Sequence, residues 1–148
     1  RLRDALQAAQ RNSREKYVQP VLKELVPLLR MIWEDAEAMV DAETGLITAV
    51  TRARVEEEFD ILSCGTQEQI TLLVRLAFAR MLAGNGRPAP VILDDAIVYS
   101  DDDRIEHMFN ALTLQARDLQ IIVLSCRQRA FNALGGTPLR IERIGGEG

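Results

Sequence analysis

Pro90-Val91-Ile92-Leu93-Asp94-Asp95 is a short apolar run, entered through Pro88 and Pro90 and closed by two adjacent carboxylates. Three apolar residues between turn formers and acids read as a buried parallel strand, and its carboxyl end is acidic. In open α/β sheets the ligand crevice lies outside the carboxyl ends of the strands, so Asp94 and Asp95 stand where such a domain does its chemistry. Downstream, Leu119 to Leu124 is a second apolar strand, and a helical pattern carrying Ile105, Met108, Phe109 and Leu112 lies between the two. Residues 91 to 124 therefore predict a right-handed parallel βαβ unit whose second strand delivers Ser125 and Cys126 beside the carboxylates.

Upstream of this unit, Ile70, Leu73, Val74, Ala77, Phe78 and Met81 recur at spacings of three and four and predict a long helix. The helix opens at Leu62-Ser63-Cys64-Gly65-Thr66-Gln67-Glu68-Gln69 and stops at Gly84-Asn85-Gly86. Ser63 reads as its N-cap, and free amides among small residues make that end a ready anion site. Ser100 to Asp103 would cap the next helix with favourable N-terminal charge, and His107 reads as a surface residue on it.

The remaining pattern is simpler. From Leu2 to about Val40 the chain is helical in pattern, broken near Pro20 and bent at Pro27, or with a helix that begins only after Pro20. Leu2, Ala5, Leu6 and Ala9 form the only apolar stripe of its first turns, compatible with a coiled-coil stub or with a solvated amphipathic helix. After a turn at Asp41 to Gly45, Leu46 to Thr51 is β-branched enough for a strand, with Met39 and Val40 as its hairpin partners. Glu56 to Glu58 reads as a solvated face. A short helix from about Arg127 to Leu134 and a last strand over Leu139 to Ile144 complete the expectation.

Bulk properties exclude several classes. The 148 residues, 47% hydrophobic and 27% charged, suit one soluble globular domain. A net charge of −4 argues against the chain being its own electrostatic footprint for nucleic acid. No run approaches a membrane span and no leader pattern is visible, so the expected setting is cytoplasmic, with no membrane partner. Cys64 and Cys126 lack zinc-type spacing and read as free thiols. Lys16 and Lys23 are the only lysines and neither follows a glycine, so the chain contains no GxxxxGK[ST] phosphate loop. Its opening at Arg1, straight into charged helical sequence, reads as a piece of a longer protein.

LSCGTQEQ, a long helix, PVILDD, a segment ending in SDDD, a helix and a strand ending in IIVLSC occur here in the order in which they occur in the C-terminal half of an ABC-type ATPase head. The segment resembles most the SMC, RecF, RecN and SbcC type of coiled-coil DNA-repair and chromosome-maintenance ATPases, over roughly residues 60 to 130. The resemblance implies an α/β fold: the C-terminal lobe of an ABC/SMC-like P-loop ATPase head, a partly parallel sheet flanked by helices. Residues 1–40 would be a helical arm or coiled-coil root and 41–148 the lobe. It implies that Ser63, Gly65 and Thr66 belong to the signature element, which grips the γ-phosphate of ATP on the opposite head. It implies further that Asp94 is the Walker B aspartate supporting Mg²⁺ directly or through water, that Asp95 orients the attacking water, and that Asp101 is the D-loop aspartate.

The implied cofactors are ATP and Mg²⁺. The implied partners are the N-terminal lobe of the same parent chain and a second head, with DNA left open as a partner of the parent. The sequence departs from the family pattern at three points. Asp95 replaces the more frequent Glu, Cys64 replaces a signature glycine, and Cys126 stands at the switch-histidine position, where Ser125 or Arg127 would have to substitute. ATP hydrolysis is thus expected of the parent and not of the isolated segment. A degenerate head that serves dimerisation or partner binding without catalysis is the alternative. A receiver- or phosphatase-like domain is disfavoured, because the C-terminal strands offer no lysine.

Overall fold

The computed structural model describes residues 2–13, 18–41, 44–95, 102–125, 131 and 135–139. In chain order the elements are α1 (Leu2–Ser13), α2 (Gln19–Arg30), β1 (Glu37–Val40), β2 (Ile47–Arg52), β3 (Val55–Glu58), a 3₁₀ turn (Phe59–Ile61), α3 (Cys64–Gly84), β4 (Val91–Asp94), α4 (Asp102–Gln115) and β5 (Ile121–Leu124). They form two sheets, an antiparallel β1-β2-β3 sheet and a parallel β4-β5 pair. The mixed α/β class and the βαβ unit expected from the sequence are therefore present. Val91 pairs with Ile121 and Asp94 with Leu124 in the parallel register.

The core is built around α3. Ile70, Leu73, Leu76 and Ala77 are fully buried, together with Leu25 and Leu29 of α2, Leu93 of β4 and Met108 and Ala111 of α4. At 3.6 residues per turn the buried positions of α3, from Gly65 to Met81, cover more than half of its circumference, wider than the stripe of an ordinary surface helix. One side chain ties three helices together across this core. Arg80 of α3 donates from Nε to Glu24 Oε2 of α2 at 2.6 Å and from Nη1 to Gln115 Oε1 of α4 at 2.6 Å.

The helical pattern expected to run to about Val40 stops at Arg30. Pro20 sits comfortably in the first turn of α2, and Pro27 lies inside the helix. Beyond it the chain turns, Arg30 Nε donates to Ala36 O at 3.2 Å, and Glu37–Val40 pair with β2 as the hairpin reading proposed. Glu56 to Glu58, read as a solvated face, are in addition strand residues of β3. On α1 the apolar stripe positions Leu2, Ala5 and Ala9 are exposed. Among the described residues, no helix is long and apolar enough to cross a membrane. The short helix expected over 127–134, except Phe131, and the last strand, except Leu139, lie outside the described residues.

The β2–β3 connection shows how a distant residue selects a turn. Ala53 and Arg54 both have positive φ, 48° and 63°, as a two-residue type I′ hairpin loop demands. Asp35, from the turn after α2, accepts their amides at 2.9 and 2.7 Å. Arg52 beside the turn stacks over Trp33 at 5.2 Å and donates from Nε to Glu57 at 2.8 Å. Two predictions follow from this arrangement. Asp35→Ala removes two charge-assisted bonds at an exposed site and should cost about 1 kcal/mol in urea unfolding. Arg54→Gly, which relieves a left-handed backbone at a non-glycine residue, should instead raise stability by about 0.5–1 kcal/mol.

Candidate functional site

Two places bring together the residues on which chemistry was expected. The first is the start of α3. Ser63 is its N-cap, and its hydroxyl accepts from Thr66 N at 3.3 Å. Ser63 Oγ also lies 2.9 Å from Thr66 Oγ1, where either oxygen can donate. With Thr66 as donor, Ser63 Oγ accepts twice and keeps its own proton for an anion in front of the helix. Ser63 and Cys64 are exposed whereas Gly65 and Thr66 are buried, so the helix presents a hydroxyl and a thiol outwards on a packed base. The base is tied back: Gln67 Nε2 donates to Phe59 O at 2.9 Å, and Gln69, one turn on, is fully buried. No acidic residue occupies the first turn of α3, so its positive end is uncompensated from within the helix.

The second place is the carboxyl end of β4. Burial alternates along the strand, with Val91 and Leu93 inside and Ile92 and Asp94 outside. Asp94 is exposed at the strand end. Asp95 departs from the strand with φ of 44°, a left-handed conformation that aspartate tolerates better than most residues, while its amide still donates to Leu124 O at 2.9 Å. The acidic pair is thereby held next to the end of β5, where Ser125 follows. The sequence signal for this end was the apolar run closed by two acids. The left-handed step at Asp95 carried no such signal.

An exposed carboxylate at a strand end suits a cation that takes only one or two protein oxygens and completes its shell with water and phosphate, which is the habit of Mg²⁺. Among the described residues no three His, Cys, Asp or Glu side chains converge as a metal cluster. Asp101 and Cys126, the expected D-loop and switch positions, lie outside the described residues. His107 is exposed on α4.

A third feature was not visible in the sequence reading. Pro20, Lys23 and Glu24 of α2 face Arg80, Met81, Leu82 and Arg87 at the far end of α3 across a groove of about 610 Å³. Arg80 at its wall is held by Glu24 and Gln115, partners 56 and 35 residues away, a separation that no local pattern encodes.

No family model matches the chain. An uncharacterized protein of Mycobacterium tuberculosis H37Rv is 29% identical over 136 residues, which are 91% of this chain and 15% of that protein. Uncharacterized proteins of M. tuberculosis CDC 1551 and Mycobacterium bovis match to the same extent. The chain thus spans 15% of the length of these curated relatives. Among solved structures, one from work on the ATP-driven dimerization and DNA-stimulated activation of SMC ATPases superposes with a TM-score of 0.68 at 14% identity, over 88% of this chain and 83% of that one. The SMC head domain from Thermotoga maritima superposes with a TM-score of 0.56 at 19% identity, over 83% of this chain and 44% of that one. The fold is that of SMC ATPase heads.

The cap geometry gives a direct check. Ser63→Ala should cost about 1 kcal/mol of stability in denaturant unfolding of the chain, and Ser63→Asp should recover most of it, because a carboxylate caps the same amides.

Proposed function

We propose that this chain is part of an ATP-binding and ATP-hydrolysing head, supplying the signature element and the Walker B strand for nucleotide-driven dimerisation of two heads. The parent would act in DNA repair, recombination or chromosome maintenance. The observation that carries the reading is the acidic carboxyl end of β4, paired in parallel with β5 inside an SMC-head fold whose α3 opens on a serine-capped, anion-ready turn. The SMC ATPases of the similar structure are described by ATP-driven dimerization and DNA-stimulated activation, which supports the dimer and leaves DNA as a partner to be tested.

In this reading each residue has one task. Asp94 would hold Mg²⁺ or its waters at the end of β4. Asp95 accepts a hydrogen bond from the attacking water and orients it towards the phosphorus. Mg²⁺ held there would supply charge neutralisation on the phosphate oxygens. From the opposite head, Ser63 Oγ donates to the γ-phosphate while the amides opening α3 at Gly65 and Thr66 add dipolar attraction. Asp101 signals between the heads, and Ser125 or Cys126 stands at the switch position. The β- and γ-phosphates would be cradled by a glycine-rich loop on the N-terminal lobe of the same parent. Ile92, 55% exposed between two buried neighbours, marks a face of the parallel pair for that lobe to cover.

Turnover measured on the full-length parent tests the assignment. Asp95→Asn should lower MgATP hydrolysis by about 10²-fold or more while nucleotide binding persists. Double-stranded DNA should raise wild-type turnover, and the 148-residue chain alone should show none. Equal activity of wild type and Asp95→Asn would instead favour a degenerate head that dimerises or binds partners without catalysis.

A further inference from the structure

We infer that the groove between the first turns of α2 and the C-terminal end of α3 is a binding site for a phosphate-bearing ligand, separate from the nucleotide chemistry proposed above. The groove, open along one side, has a volume of about 610 Å³, within the roughly 300–1,000 Å³ of ligand sites. Three cations, Lys23, Arg80 and Arg87, line it together with a single carboxylate, Glu24. That carboxylate is engaged by Arg80 Nε at 2.6 Å. Lys23 and Arg87 form no ion pair among the described residues, on a chain whose net charge is −4. A concentration of unneutralised positive charge on an acidic protein attracts anions by simple electrostatics.

One further feature removes an obstacle to an anion here, and another preorganises a donor for it. The end of a helix ordinarily points unsatisfied carbonyls at whatever lies beyond it, which would repel a phosphate. Here the end is closed: Gly86, at φ of 73°, donates to Ala83 O at 3.0 Å, and Arg87 N donates to Leu82 O at 2.9 Å, the paired bonds of a Schellman turn. Asn85 N caps Met81 O and Leu82 O as well. The Arg80 guanidinium is also held in place by Glu24 and Gln115, so little side-chain entropy remains to be lost when it faces a ligand. Planar arginine forks suit phosphate oxygens, and Lys23 adds a mobile point charge.

The test uses the 148-residue chain with amide chemical shifts as the readout, titrated with inorganic phosphate, pyrophosphate and a short DNA duplex at low salt. Saturable shifts are expected at residues 22–25 and 84–87. Saturation by phosphate or pyrophosphate identifies a free phosphate ligand, and saturation by the duplex alone identifies a phosphodiester backbone. Lys23→Gln combined with Arg87→Gln should weaken binding at least tenfold; both residues are exposed, so the fold should survive. Arg87→Gln alone serves where the double variant unfolds and should weaken binding measurably. Ser63→Ala should leave this binding unchanged, and the Lys23/Arg87 variant of the full-length parent should still dimerise with ATP, so the two readings fail separately. Shifts confined to residues 63–66, undiminished affinity in the charge variants, or no saturable shift with any of the three ligands would overturn the assignment.

Discussion

A 21-residue helix with buried positions over more than half its circumference needs cover on more than one side, and α3 is the element around which the core gathers. Its apolar surface is too wide for one partner. α2 covers one side with Leu25, Leu28 and Leu29, while Leu93 of β4 and Met108, Ala111 and Leu112 of α4 join the same core. Each of the leucine and methionine side chains among these would contribute roughly 1.5–3 kcal/mol on full burial, so losing any one layer would remove stability on the scale of a whole domain's margin. The same helix has the candidate anion-facing turn at its beginning and a cationic groove at its end. Its burial is therefore also what holds these two candidate surfaces at a fixed separation, about 30 Å along the helix axis.

How much of this could be read in advance depended on the distance over which each feature is encoded. The βαβ unit, the start of α3 at Ser63 and the strand over 47–52 were legible because their signals are local: a run of apolar residues, a cap, a β-branched segment. β3 was not, because Val55–Glu58 carries three glutamates and is mostly exposed. Its conformation comes from pairing with β2 and from Asp35, which reaches the hairpin turn from 18 residues upstream. The end of the helical arm was misjudged for a related reason. Ile32, Trp33 and Ala36 keep helical spacing with Leu29, but Ala36 is buried in a turn, and Met39 and Val40 are claimed by β2.

The candidate site was legible in residue type more than in geometry. Paired acids after an apolar run, and a serine before a helix, named the two ends at which chemistry would be sought. The outward placement of Ser63 over a buried Thr66, and the sharing of one hydroxyl contact between them, required the folded chain. So did the groove beside Arg80, whose members come from segments more than 50 residues apart.

The left-handed backbone at Asp95 bears on a substitution that is otherwise easy to misjudge. An aspartate where the ATPases that this segment resembles more often carry glutamate looks, on the page, like decay. At φ of 44° the preference is inverted, because aspartate and asparagine settle in this region several-fold more readily than residues with longer unbranched side chains. The peptide step that turns the chain out of β4 while keeping its amide on Leu124 thus selects the shorter acid on conformational grounds. What reads as a departure from the pattern of the resembled ATPases is then a local accommodation between main-chain handedness and side-chain length.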